Sequence, residues 1–314
     1  VSVRGANGAA GAATPPARSI RRELDWGALA PLRLRARQVA EGAYSGAHRS
    51  ARRGAGIEFG GHREYSPGDD LRWLDRRSLL RHDRLLIRQF ETETDRALRL
   101  VVDATASMGY RGASAPGAKL AFAALVSAAL ARIAIVSGDP VGLQFLGGEV
   151  ARSLPRAGGN EAFERIVAAL EACQPGGDAV VDADLVDRSL DGLARSARRG
   201  AVVVVLSDLL DLPEDAADRI AALASRGRIL VVVQTLDPDE ALFPFQGTMR
   251  MRSLEGGFVV ETDAEVTRQS YLEALDQRYA AWEHAIARRG GRLFRALTNE
   301  DPVAVVRRVV EKVR

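Results

Sequence analysis

The hydrophobic pattern of the chain changes character near residue 98. Before it, apolar positions are sparse. Residues 1–17 (VSVRGANGAAGAATPPA) are rich in Gly, Ala and Pro and offer almost nothing to bury, which predicts a disordered tail. Leu29, Leu32, Val39 and Ala43 recur at helical spacing and predict a helix over 25–43. A Gly-dense stretch follows, with short extended runs at 56–59 and 85–90 and a Pro67-Gly68-Asp69 turn between them.

From 98 onward, strand and helix patterns alternate. LRLVVD (98–103), AVVVVLS (201–207) and RILVVVQTL (228–236) are near-continuous Val, Ile and Leu runs, the mark of strands covered on both faces. Segments 119–136, 160–173 (capped by Asn160), 184–199, 214–225, 265–288 and 302–313 read as helices. VGLQFL (141–146) and EVARSL (149–154) flank Gly147-Gly148 as a hairpin. Segments 249–254 and 258–261 flank Gly256-Gly257 as another, and 292–297 is a last strand. The fold class predicted is α/β: a doubly wound, mostly parallel, Rossmann-like sheet over 97–314. A smaller irregular or β segment precedes it, grouped with the first helix as residues 18–96.

Composition narrows the chemistry. The 314 residues suffice for roughly two average domains, and 46% hydrophobic with 27% charged is ordinary for a globular protein. The single cysteine, Cys173, excludes an internal disulfide and a zinc cluster, and reads as a small core residue rather than a nucleophile. His48, His62, His82 and His284 lack metal-ligand spacing. The longest uncharged apolar run, 120–131, stops at Arg132, short of the roughly 20 residues that span a bilayer. The chain start has no apolar signal core. These features predict a soluble, cytoplasmic protein of a reducing compartment with no membrane span.

The net charge of +3 hides a split: residues 1–100 carry an excess of seven positive charges and the remainder an excess of four negative ones. The arginines of the first part are interleaved with Glu58, Glu64, Asp69, Asp70 and Asp75. That pattern predicts internal pairing rather than a nucleic-acid stripe. No P-loop or G-x-S-x-G elbow occurs, and Gly54-x-Gly56 lacks the strand–helix context of a dinucleotide loop.

In doubly wound sheets ligands bind beyond the carboxyl ends of the strands. After the first buried strand come Asp103, Thr105 and Ser107, three oxygen-bearing side chains at alternate positions on one loop, a donor set suited to magnesium. Ser207-Asp208 places a second carboxylate at the end of the next buried strand. Each carboxylate singly also reads as a cap for the turn that follows.

Asp103-x-Thr105-x-Ser107 with Met108-Gly109 and the later Ser207-Asp208 resembles the metal-ion-dependent adhesion site of von Willebrand factor A-like domains. The segment Gly54-x-Gly56-x-Glu58-Phe59, then Arg63-Glu64-Tyr65-x-x-Gly68-Asp69-Asp70-x-Arg72-x-x-Asp75, resembles the signature of domain-of-unknown-function family 58 (DUF58). The resemblance covers about 40–300 and includes Asp237-Pro238-x-Glu240. Three departures stand out. Thr105 replaces the usual Ser, Leu74-Asp75-Arg76 stands for Ile-Asp-Trp, and no Thr occurs between Gly176 and Asp184, where Asp182 or Asp184 is the alternative oxygen donor. The resemblance implies a non-enzymatic adaptor working beside a MoxR-type AAA+ ATPase on a protein client. In it Asp103, Thr105, Ser107 and Asp208 hold magnesium, and the Glu58–Asp75 signature forms a second docking or scaffold surface. The alternative is a metal-dependent hydrolase using Asp103 and Asp208.

Overall fold

The computed structural model describes residues 2–5, 32–44, 55–65, 86–91, 97–179, 182, 184–213, 215–254 and 259–313. Two compact units are present, residues 48–95 and the remainder. Of the smaller unit, the described part is an antiparallel pair, β2 (Ala55–Glu64) and β3 (Leu86–Glu91), with register irregularities between Ala55 and Glu58 and between Phe59 and Gly61. The signature positions Gly56, Glu58, Phe59, Arg63 and Glu64 lie on β2, and Tyr65 follows it. Gly68, Asp69, Asp70, Arg72 and Asp75, with the turn at 67–69, lie outside the described residues.

The larger unit carries the expected doubly wound sheet. Its strands are β4 (Leu98–Asp103), β5 (Val141–Leu146), β6 (Leu154–Ala157), β7 (Val202–Ser207), β8 (Ile229–Leu236) and β11 (Arg292–Leu297). Their spatial order is β11-β8-β7-β4-β5-β6, all parallel except β6, which runs antiparallel to β5 at the edge. Sequence order reverses at β4, whose successors β5 and β7 lie on its two sides. That reversal is the switch point at which such sheets open a crevice.

Period-two alternation splits the core into two layers. Leu98, Leu100 and Val102 face α2 (Lys119–Val136), α3 (Gly159–Ala172) and α8 (Pro302–Val313). Val101, Val203 and Val205 face α4 (Leu185–Ser196), α5 (Ala216–Ala221) and α7 (Ala264–Arg288). Each fully buried Val or Leu in these layers stabilises the fold by roughly 1.5–3 kcal/mol. Helix α2 is apolar on nearly every side. By length and composition it could cross a bilayer, yet most of it is buried inside the fold, as an all-round apolar helix between a sheet and other helices must be.

The structure redraws several expected boundaries. Helix α1 (Leu32–Tyr44) packs Ala36, Val39 and Ala43 into the layer around α2, so it belongs to the larger unit rather than with the signature segment. Residues 2–5, expected in a disordered tail, form β1 (Ser2–Gly5) on β9 (Thr248–Arg252), which also pairs with β10 (Val259–Asp263). The edge strand starts at Leu154 rather than Glu149, because the 149 backbone pairs with Gln174 instead. Gly158, not Asn160, caps α3; the Asn160 side chain accepts from Arg132.

Candidate functional site

The register of β4 and β7 builds the site. Val102 is paired with Leu206, so the next residues, Asp103 and Ser207, leave the sheet side by side. Both are fully buried. The Ser207 hydroxyl donates to Asp103 Oδ2 at 2.5 Å. The Thr105 amide and hydroxyl donate to Asp103 Oδ1 at 2.9 and 2.8 Å, and Thr105 Oγ1 lies 3.2 Å from Ser107 Oγ. The loop keeps this shape because Ala104, Ala106 and the backbone at 176–177 exchange hydrogen bonds.

Asp208 takes a hydrogen bond from the Ser107 hydroxyl of this loop. Its Oδ1 accepts from the Leu210 amide at 3.1 Å, and its Oδ2 accepts from Lys119 Nζ at 2.7 Å. The same ammonium donates to Glu240 Oε1 at 2.6 Å, and all three side chains are buried. Lys119 is the first residue of α2, and Glu240 sits in the one-turn helix α6 (Pro238–Leu242) that follows β8. Glu240 Oε2 also accepts from the Asp237 amide, closing a capping box whose other half is Asp237. Asp237 and Asp239 in turn accept from the Gly112 and Ala113 amides at 2.8 and 3.0 Å, and Ser114 Oγ donates to Asp239 at 3.2 Å. Gly112 is obligatory for this closeness: a Cβ there would come within 2.3 Å of the Asp237 and Asp239 carboxylates. The loop after β4 is thus tied at both ends, to β7 through Asp103 and to α6 through Gly112.

Electrostatics distinguish the two aspartates. Burial pushes the Asp103 carboxyl up to about 7, helped by the negative charge of Asp208 and opposed by the hydrogen bonds from Ser207 and Thr105. Burial acts on Asp208 in the same sense, but the Lys119 charge and hydrogen bond carry it below the ordinary aspartate value. Glu240 is raised by burial, against the pull of Lys119, with the Asp208 charge adding to the rise. Lys119 is itself held charged: burial opposes the ammonium, and the two carboxylates outweigh it.

Asp103, Asp208, Asp237, Asp239 and Glu240 are five buried carboxyls around one buried ammonium. Asp103 has only neutral donors. A proton or a cation balances that deficit. Among the described residues no group of three or more Asp, Glu, His or Cys converges in metal-holding fashion. A cation would rest on Asp103 with the Thr105 and Ser107 hydroxyls, and on Asp208. Those hard oxygens are of the kind magnesium takes.

Of the residues singled out in the sequence, the structure brings together Asp103, Thr105, Ser107 and Asp208. Asp182 and Asp184 make no hydrogen bond to the cluster. Asp182 pairs with Arg188 near the start of α4, and Asp184 is exposed there without capping the helix. Lys119 and Glu240 were not anticipated as an ion pair. A signal existed: Lys119 is one of only two lysines in an arginine-rich chain, and it heads an otherwise apolar run. Its compact ammonium donates to both carboxylates at once.

Fold and site together define a doubly wound α/β protein with an oxygen-rich, acid-lined loop site at its strand ends. The chain belongs to the DUF58 family, described as a protein of unknown function, which matches residues 61–281. It is 28% identical over 284 residues to the uncharacterized protein Rv1480 of Mycobacterium tuberculosis, covering 90% of this chain and 88% of that one. Solved structures similar to it include BatB from Bacteroides thetaiotaomicron, at 19% identity and TM-score 0.45 over 69% of this chain and 98% of that one. An aerotolerance-related membrane protein from Bacteroides fragilis matches at 18% identity and TM-score 0.43 over the same shares. A von Willebrand factor type A structure from Catenulispora acidiphila matches at 14% identity and TM-score 0.35, over 71% of this chain and 43% of that one. The cytoplasmic placement expected from the sequence is withdrawn: the Bacteroides fragilis structure and one from Vibrio fischeri, at 16% identity and TM-score 0.21 over 69% of this chain and 97% of that one, are described as membrane proteins, which is said of those proteins.

Proposed function

We propose that this chain is a non-enzymatic binding protein whose loop face at the carboxyl ends of β4 and β7 recognises a protein partner. The observation that carries this reading is the convergence of Asp103, Thr105 and Ser107 beside Asp208, with more buried negative charge than Lys119 neutralises. In this proposal magnesium is held by Asp103, Thr105, Ser107 and Asp208. It supplies a positive centre to which a partner carboxylate adds. Hydrogen bonds to the loop backbone fix the oxygens in place, which suits recognition by a rigid surface. The family resemblance adds a MoxR-type AAA+ ATPase as the working partner and a further protein as its client.

One observation favours the alternative, a metal-dependent hydrolase: an aspartate at Asp103 raised to about 7 has the acidity of a general acid or base near neutral pH. Calorimetric titration of magnesium into the full chain, with Asp103→Ala as control, tests the cation. Heat that disappears in the variant supports the metal-bridged reading, and no heat above control refutes it. Metal-dependent turnover of generic phosphatase or esterase substrates, abolished by the same substitution, would replace the adaptor by the hydrolase. Co-purification with a MoxR-type ATPase, lost in Asp103→Ala, tests the partner.

A further inference from the structure

Arginines cluster at the opposite end of the strands from the acidic site. The turn between α4 and β7 holds Arg198 and Arg199, and the turn before β8 holds Arg226 and Gly227. With Arg195 and Ala197 they line an open cleft of about 600 Å³ at the amino ends of these strands. Arg195, Arg198, Arg199 and Arg226 are all exposed, and no acidic residue is among those lining the cleft. Arg195 has an ion pair with Asp191 at 3.3 Å, but both groups are exposed, and such pairs neutralise little.

Basic residues at a helix C-terminus ordinarily satisfy its last carbonyls. Here that role is already filled from beneath. Buried Arg228 donates to the Ala194 carbonyl at 2.9 Å, and buried Arg99 donates to the Ser196 carbonyl at 3.3 Å. The exposed Arg199 and Arg226 are additional to it. Two backbone features hold them in place. Arg226 adopts a left-handed conformation, φ 61°, that non-glycine residues seldom take. Gly227, φ 71°, leaves room for the Arg199 stem, since a Cβ there would come within 3.1 Å of Arg199 Cγ. The neighbourhood is electropositive enough that Arg226, adding to burial, lowers the affinity of Arg228 for its proton.

We propose that this cleft is a binding site for a phosphate-bearing solute, separate from the strand-end site and independent of its function. Guanidinium forks pair with phosphate oxygens two bonds at a time. The volume is in the range of small-molecule clefts.

The test is calorimetric titration of the full chain with inorganic pyrophosphate and, separately, inorganic phosphate. Ionic strength is held constant and divalent cations are excluded. Binding of either anion, weakened at least tenfold by Arg199→Gln with Arg226→Gln and unchanged by Arg165→Gln on α3, supports the site. Comparison of the two anions tells a single phosphate from a linked pair. Both substituted side chains are exposed, and circular dichroism checks that the variant is folded. Three results would overturn the proposal: no heat beyond that of sodium chloride; equal affinity in the double variant; or retention only on phosphatidylglycerol vesicles or an acidic peptide, with no competition by either anion.

Discussion

Replacing Lys119 by Met removes the one cation between two buried carboxylates. The contacts are 2.7 Å to Asp208 and 2.6 Å to Glu240, and the ammonium is fully buried. At an effective dielectric of about 20, each contact carries roughly 6 kcal/mol of attraction. Most of that is offset by the desolvation of three charges on folding. Removing the ammonium leaves the desolvation and takes away the compensation, so the expected loss is about 3–5 kcal/mol. For a domain of this size that lowers Tm by roughly 6–20 °C. The assay is urea unfolding followed by circular dichroism, at pH 7 and at pH 4. With Lys119 gone, the Asp208 carboxyl rises above its unfolded value. A carboxyl raised in the folded state favours folding when protonated, and that contribution is lost as pH rises through its folded pKa. The deficit of the variant is therefore larger at pH 7 than at pH 4. Adding Asp208→Asn and Glu240→Gln to Lys119→Met recovers much of the loss by removing the stranded charges. A loss below about 1 kcal/mol for the single variant, or one equal at both pH values, would refute the account.

Three further outcomes follow from the same geometry. Carbon-13 NMR of the Asp103 carboxyl in magnesium-free buffer should show a midpoint near 7; because its folded value is raised, the stability it contributes is present below about pH 4 and lost as pH rises toward 7. Titration near pH 4 would contradict the burial argument. Gly112→Ala should destabilise the fold by about 1–3 kcal/mol, since its Cβ would overlap the Asp237 and Asp239 oxygens at 2.3 Å; denaturant unfolding checks the magnitude, and a neutral substitution would mean the loop moves freely. Cys173 is fully buried and burial pushes its thiol up to about 12, so a thiol-reactive disulfide should label it only as fast as the protein opens, and rapid labelling of the native state would place it at the surface.

Much of the sheet was legible because buried parallel strands are written as unbroken Val and Leu runs, as in β4, β7 and β8. The order in which they pair was not written locally. It follows from crossovers that depend on which helix covers which face. The strand-end oxygens were legible for the same reason: a carboxylate directly after a buried strand has one place to go. The Lys119–Glu240 bridge was not, because its partners are 121 residues apart and each, alone, looks like a charge at a helix start. The placement of α1 was not written locally, because Ala36, Val39 and Ala43 find their partners only in the folded layer around α2.

Glu240 serves two masters with its two oxygens, the first turn of α6 and the ammonium of Lys119. A helix of one turn has almost no independent stability, so its formation and the seating of Lys119 must rise and fall together. Fraying that short helix releases Asp237 and Asp239 from the loop at Gly112 and strips Lys119 of a counter-charge in the same event. The strand-end loop and the turn after β8, far apart in the chain, therefore open as a single cooperative unit, with one free energy governing amide exchange in both.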